Sequence, residues 1–415
     1  MLEMYFSTPK TLRRLRTGPS APYIDGFATM LQENGYSVAS AVRYLRAAVH
    51  LGHFLDSRGM GFASIDAGIS ERFRRHLPNC RCPLSNGGII NHHVVFGVKR
   101  FHQYLVQLGV CPGVPTPATE SREPPLVTSF RHWLEVHRGA APSTVRQYCR
   151  GAGELLDALG EDPGRWDARQ VRDLFVGAAD PGGAATVEKR ATAVRSFLRF
   201  LITQGQCRAD LDQAVPAQAH WRLASLPRCL TSEQLEQLVA ACEGDACNRR
   251  RARAIILLLA RLGLRASDVA RMRLADLEWE SAALRICGKG RYEVRLPLPQ
   301  DVGEAVIRYL QCRPSWVQSD KLFLRTIAPF GPLADGDGVS SVVKRALGRA
   351  GVKSPAKGAH LLRHTAATEM LRQGIPLEQI GLVLRHRSVD TTAYYAKVDT
   401  ALLKPVAQPW PEVLR

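Results

Sequence analysis

Apolar residues recur three and four positions apart over most of this chain, the period of helices that bury one face. Phe27 and Leu31 are four apart, Val42, Leu45 and Val49 keep a helical spacing, and Leu51, Phe54 and Leu55 continue it. Val98, Phe101 and Leu105 follow the same logic. These positions predict a helical module over 22–111, preceded by a loose arm over 1–21 that carries Lys10, Arg13, Arg14 and Arg16. Residues 112–125 hold five prolines, the composition of a linker.

The pattern then repeats. Phe130 and Leu134 match Phe27 and Leu31, and Ser143-Thr144-Val145-Arg146 matches Ser40-Ala41-Val42-Arg43 at the same offset. Val194, Phe197, Leu201 and Gly205 match Val98, Phe101, Leu105 and Gly109 after a gap of seven residues. Two copies of one helical module are expected, the second over 126–208, although amphipathic helices also resemble one another by chance. A second connection over 209–228 contains Pro216 and Pro227.

A third segment, 229–400, begins with a capping-box pattern, Thr231 with Gln234 three residues on. It is α-rich with one β signal. Leu284 and Ile286 alternate with polar neighbours, Gly288-Lys289-Gly290-Arg291 bends, and Val294, Leu296 and Leu298 alternate again, which predicts a hairpin. The expected class is mainly α with a small antiparallel sheet, in several domains. The Pro-broken tail 401–415, with Trp410, calls for a surface to bury against, on its own domain or on a neighbouring protomer.

Composition narrows the partners. Among 415 residues, 56 Lys and Arg stand against 38 Asp and Glu, a net charge of +18. Arg dominates, and its planar fork pairs bidentately with phosphate, so a nucleic acid is the natural polyanion, although a generally basic protein shows the same balance. The ten cysteines are scattered, unlike the dense framework of a small secreted domain, and are expected as reduced thiols of a cytoplasmic protein. No stretch approaches the roughly 20 apolar residues of a membrane span, and the start has no signal-peptide form. The longest apolar run, Ala254 to Ala260, has the length of a buried helix segment.

Four places in the last third carry chemistry. Arg265 follows a helix that should stop at Gly263 and precedes one that should begin near Ser267, so a rigid frame would hold its guanidinium. Lys289 stands at the hairpin bend, where a flexible ammonium can reach a leaving oxygen and give up a proton. Its Gly-Lys-Gly setting lacks the spacing of a nucleotide-binding loop. His360 and Arg363, three apart, share one helix face. His360 with His364 lacks the intervening Glu of a metal-binding helix and has no nearby Cys, so no metal is expected there. His386 is followed nine residues later by Tyr395, a phenol that becomes a useful nucleophile only beside cations. Taken singly, each has a bland counterpart: a surface Arg, a turn Lys, packed aromatics.

Together, in the order Arg…Lys…His-x-x-Arg…His…Tyr, they resemble the tyrosine recombinases, or phage integrases. The segments LARLGLRASDVARMRLADL, ICGKGRYEVRLPLP, HLLRHTAATEMLRQGIPLEQIGLVLRH and RSVDTTAYYAKV are similar to the Xer-type branch. The resemblance covers roughly 225–400 closely, and 126–208 looks like the family's helical core-binding domain. It implies that Arg265 and Arg363 clamp the scissile phosphate and that Lys289 protonates the leaving 5′ oxygen. It further implies that His360 acts as acid and base, that His386 hydrogen-bonds the phosphate where some relatives have Trp, and that Tyr395 forms a 3′-phosphotyrosine. Tyr394 is the rival nucleophile. Double-stranded DNA is the implied partner, with four protomers on two DNA sites and neither membrane nor nucleotide cofactor involved.

A type IB topoisomerase-like enzyme and a non-catalytic DNA-binding accessory protein are the alternatives. The paired helical modules argue against the first and the intact six-residue set against the second. Cys80-x-Cys82, with His76, His92 and His93 nearby, is not spaced as a usual zinc finger, so ordinary thiols are expected.

Overall fold

The computed structural model describes residues 1–65, 68–80, 82, 92–111, 123–176, 184–217, 227–287, 293–354, 356–386 and 389–396. Lys289 and its bend, the greater part of the Pro-rich linker and the tail lie outside them. The chain forms two compact units: residues 1–53, 91–97 and 222–415 make one, and 54–90 and 98–221 the other.

The first half runs α1 (Pro9–Thr17), α2 (Ala21–Glu33), α3 (Val38–Asp56), α4 (Ile69–His76) and α5 (His92–Gln107). It continues with α6 (Pro125–Val136), α7 (Pro142–Leu159), α8 (Ala168–Val176) and α9 (Ala184–Thr203). The division into units crosses α3 and α5. Element order is nevertheless the same in the two stretches that share a sequence pattern. Helix, long helix, a 3-10 turn (Phe62–Ser64, then Pro163–Arg165), short helix and long helix follow in each, with a further 3-10 turn, Leu77–Asn79, after the short helix of the first. The matched residues Phe27, Leu31, Phe101 and Leu105 are buried, as are Phe130, Leu134, Phe197 and Leu201. Gly109 and Gly205, the matched glycines after the last helix, both take left-handed φ values of 70° and 67°.

In the second unit, α6 opens with a proline at its first position, where no intrahelical N–H is needed. Its Val127, Phe130 and Leu134 form one apolar stripe. The Phe130 ring lies 5.0 Å from Phe197 and 5.4 Å from Phe200 of α9. Helices α7 and α9 approach closely at Gly151, where an added Cβ would meet that of Ala193 at 2.8 Å.

The final part of the first unit contains α10 (Ser232–Ala240), α11 (Cys247–Leu262), α12 (Ala266–Arg271) and the strands β1 (Leu277–Glu278), β2 (Ala283–Cys287) and β3 (Glu293–Pro297). Then come α13 (Gln300–Leu310), α14 (Gly336–Ala350), α15 (Ala359–Arg372), α16 (Leu377–Leu384) and α17 (Val389–Ala396). The capping box is formed, with the Gln234 N–H donating to Thr231 Oγ1 and the Thr231 N–H to Gln234 Oε1. Such a cap is worth about 0.5–2 kcal/mol. Helix α11 is buried on all sides from Ala254 to Ala260, which makes it the central helix of this core. The strands pair antiparallel in the order β1-β2-β3. Leu284 faces Leu296 and Ile286 faces Val294, as the alternation predicts. The two-residue strand β1 was too short to leave a period in the sequence.

Helix α11 ends at Gly263 with φ 58°, in the left-handed region. A Cβ there would run into the Leu384 side chain at the end of α16. Gly263→Ala therefore combines backbone strain with overpacking, each on the order of 1–3 kcal/mol. Its thermal midpoint is expected several degrees below wild type by calorimetry, whereas Gly348→Ala, which meets nothing within 4 Å in the last turn of α14, does not lower it.

Candidate active site

Four chain segments converge on one buried guanidinium. Arg363, on α15, is 2% exposed. Its Nη1 donates to the Gly263 carbonyl and its Nη2 to the Leu384 carbonyl. One side chain thereby joins the C-terminal ends of α11 and α16, whose last carbonyls have no intrahelical partner. Arg265 is the N-cap residue of α12, and its Nη2 donates to the Arg385 carbonyl at 2.9 Å.

Arg385 caps α16 with φ 55°, a left-handed conformation uncommon for a residue with a Cβ. The Arg385 N–H returns to the Leu382 carbonyl and the His386 N–H to the Gly381 carbonyl, which closes the helix end and sets His386 in place. The Arg385 side chain reaches Asp268 of α12 at 2.6 Å, an ion pair whose side chains are 9% and 1% exposed. Arg385 Nε and Nη1 are buried without a hydrogen-bond partner among the described residues.

Tyr395 of α17 packs with Ala367, Leu371, Ile380 and Leu384 and is 3% exposed. Its hydroxyl lies 3.0 Å from His364 Nδ1. His386 lies parallel to the Tyr395 ring with centroids 6.3 Å apart, and its Nδ1 is 2.8 Å from Thr392 Oγ1 of the same helix. His360 sits one turn before His364 on α15, their ring centroids 4.5 Å apart. Tyr394 is only half-buried.

The electrostatics have one sign. Burial, and then the neighbouring Arg265, push the Arg363 guanidinium down to about 10. Burial, with His360 and Arg363 adding to it, takes His364 down to about 4. His386 is also taken down to about 4, by burial and then by Arg363 and Arg265. His360 is lowered as well, first by desolvation and then by Arg363 and Arg265. Burial raises the Tyr395 phenol to about 12, with the Arg363 charge pulling the other way. Cations that are desolvated and mutually repelled while packed around a phenol describe a site that gains energy when an anion enters.

Of the six residues expected from sequence, five lie in the described residues: Arg265, His360, Arg363, His386 and Tyr395 all belong to this region, and Lys289 lies outside. His360 is the most exposed of the five. In sequence, His364 stands out only as a candidate metal ligand. The signal was available in its place, four residues after His360 on one helix face, toward the tyrosine. Asp268 and its partner stand 117 positions apart, which no local pattern links.

Residues 228–401 match the model of the phage integrase family, and residues 127–205 match its N-terminal SAM-like domain. A protein of Sinorhizobium fredii named integrase/recombinase is 34% identical over 418 residues, spanning 99% of this chain and 99% of its own length. The chain belongs to the phage integrase family of tyrosine recombinases, enzymes that cleave and rejoin DNA. The tyrosine recombinase XerD of Caulobacter vibrioides is 30% identical over 288 residues, 68% of this chain and 94% of its own. In fold, the chain is similar to XerH recombinase in a post-cleavage complex with its difH substrate (TM-score 0.53, 21% identity, 69% of this chain and 85% of that one). It is also similar to a lambda integrase tetramer bound to a Holliday junction (TM-score 0.51, 17% identity, 74% and 88%). Among the described residues no helix is long and apolar enough to cross a membrane.

Two predictions come from this geometry. Asp268→Ala strands the buried Arg385 charge and should cost about 3–5 kcal/mol in urea unfolding. A cost near zero would mean that the ion pair holds nothing. The second concerns pH. His364 and His386 bind protons near 6.5 when unfolded but only near 4 when folded, so the unfolded chain takes up more protons between those values. Stability present above pH 6.5 is then lost as pH falls toward 4. The thermal midpoint should drop from pH 7 to pH 5, and less steeply in His364→Gln. Parallel curves for the two proteins would remove His364 from this account.

Proposed function

We propose that this recombinase breaks one DNA strand per protomer through nucleophilic attack by Tyr395, for the movement of a mobile genetic element. The observation that carries the assignment is the Tyr395 hydroxyl, bonded to His364 and packed beside the cationic group of Arg363 and Arg265. The phenol oxygen attacks the scissile phosphorus, the bond to the 5′ oxygen breaks, and the strand is held as a 3′-phosphotyrosine. Arg265 and Arg363 bind the non-bridging oxygens, where charge builds in phosphoryl transfer. His386 and His360 add hydrogen bonds to the same phosphate. The phenol must lose its proton, and His364, neutral near pH 7, is the acceptor within reach. The leaving oxygen takes a proton from Lys289, a role that rests on the family resemblance. A 5′-hydroxyl from the partner strand then reverses the reaction. The phosphodiester bond energy is kept in the tyrosine ester, so no nucleotide is consumed. Because Tyr395 is covered, α17 must shift to offer its oxygen to DNA.

Assignment to a mobile element is supported by where the relatives align. Two integrase/recombinase relatives of Sinorhizobium fredii span 99% of this chain, first half included, whereas a third spans 44% and XerD spans 68%. The +18 charge suits phosphate contacts along duplex DNA. Four protomers on two sites is the assembly in which single-strand cleavages complete an exchange.

The test is covalent trapping on nicked DNA bearing the element's own end sequence. Wild type and Tyr394→Phe should form a protein–DNA adduct, and Tyr395→Phe should bind the DNA and form none. An adduct that persists in Tyr395→Phe assigns the nucleophile elsewhere.

A further inference from the structure

Far from the catalytic tyrosine in sequence, a second chemical cluster stands where α4 ends. His76 is the last residue of α4, and a 3-10 turn over Leu77–Asn79 leads into Cys80. The Cys80 N–H closes that turn onto the Leu77 carbonyl, and the Cys82 N–H points back at Cys80 Sγ at 3.3 Å. Cys82 Sγ lies 3.3 Å from His76 Nε2. The ligand atoms of these three side chains all lie within 4.8 Å of one another. All three residues are partly buried.

We propose that His76, Cys80 and Cys82 bind a structural zinc ion. Donors around a tetrahedral zinc lie at about 2.0–2.3 Å from it, which sets them roughly 3.3–3.8 Å apart. The His76–Cys82 separation already matches, and the wider separations need only a small contraction. Two sulfurs and an imidazole select zinc over magnesium or calcium, which take oxygen. A backbone N–H aimed at a cysteine sulfur is the outer support that a metal-bound thiolate requires. Binding converts both thiols to thiolates and releases their two protons to solvent. A water molecule takes the fourth position of the tetrahedron. The Phe54 ring packs on His76, with ring centroids 4.7 Å apart, and holds the imidazole in place. The ion fixes the C-terminal end of α4 and the turn after it. This role is independent of the cleavage reaction.

The test uses the full chain, purified under reducing conditions without chelator. Elemental analysis should find about one zinc per chain, falling below roughly a tenth in Cys80→Ser/Cys82→Ser and substantially in His76→Gln. In wild type, chelator should expose Cys80 and Cys82 to alkylation, and zinc should protect them again, as mapped by mass spectrometry. Cobalt added to the stripped wild type should give a thiolate-to-cobalt charge-transfer band. These wild-type readouts stand even if the double variant fails to fold. A wild type with no stoichiometric zinc and no such band, or equal alkylation of both cysteines with and without zinc, overturns the proposal.

Discussion

Arg363 is the interaction on which the catalytic region depends. A guanidinium in a nearly closed interior is costly, by several kcal/mol after relaxation, unless its donors are satisfied. Here two of them meet carbonyls at the ends of α11 and α16, groups that would otherwise be buried without partners. The bridge needs Gly263, because only that backbone conformation turns the carbonyl inward and leaves room for Leu384. It also fixes where α16 stops, and so where Arg385, His386 and α17 follow. Charge and scaffold are therefore one device. The side chain that would meet phosphate also builds the wall from which the tyrosine hangs.

Around this bridge, the local strain has a use. Arg385 adopts a backbone conformation that a glycine would take at no cost. The arginine there gains the Asp268 ion pair and offers its carbonyl to Arg265. Asp268 sets one negative charge against Arg385, while the guanidiniums of Arg265 and Arg363 donate to backbone carbonyls. Burial, and then that positive surrounding, lowers His360, His364 and His386, so the histidines stay neutral rather than adding further cations.

Much of this was legible in sequence because it is local. Gly263 as a helix stop, the Thr231–Gln234 cap, the hairpin alternation and the shared face of His360 and Arg363 each depend on neighbours a few residues away. The order of the catalytic set added what spacing alone could not. Contacts between segments distant in sequence stayed hidden: Asp268 with Arg385, Arg363 with the Gly263 carbonyl, and His364 with Tyr395. The Cys80–Cys82 pair showed the converse. Its spacing fitted no standard finger, since one donor comes from the end of a helix before it, and only the folded turn brings His76 to the sulfurs.

The central claim is that one phenol, set by this bridge, carries the DNA. The most direct measurement is the chemical identity of the modified residue. After trapping, nuclease and protease digestion and mass spectrometry should find the nucleotide on Tyr395, in the peptide that follows Arg387. Nucleotide on Tyr394, or on any side chain outside α17, would contradict the account.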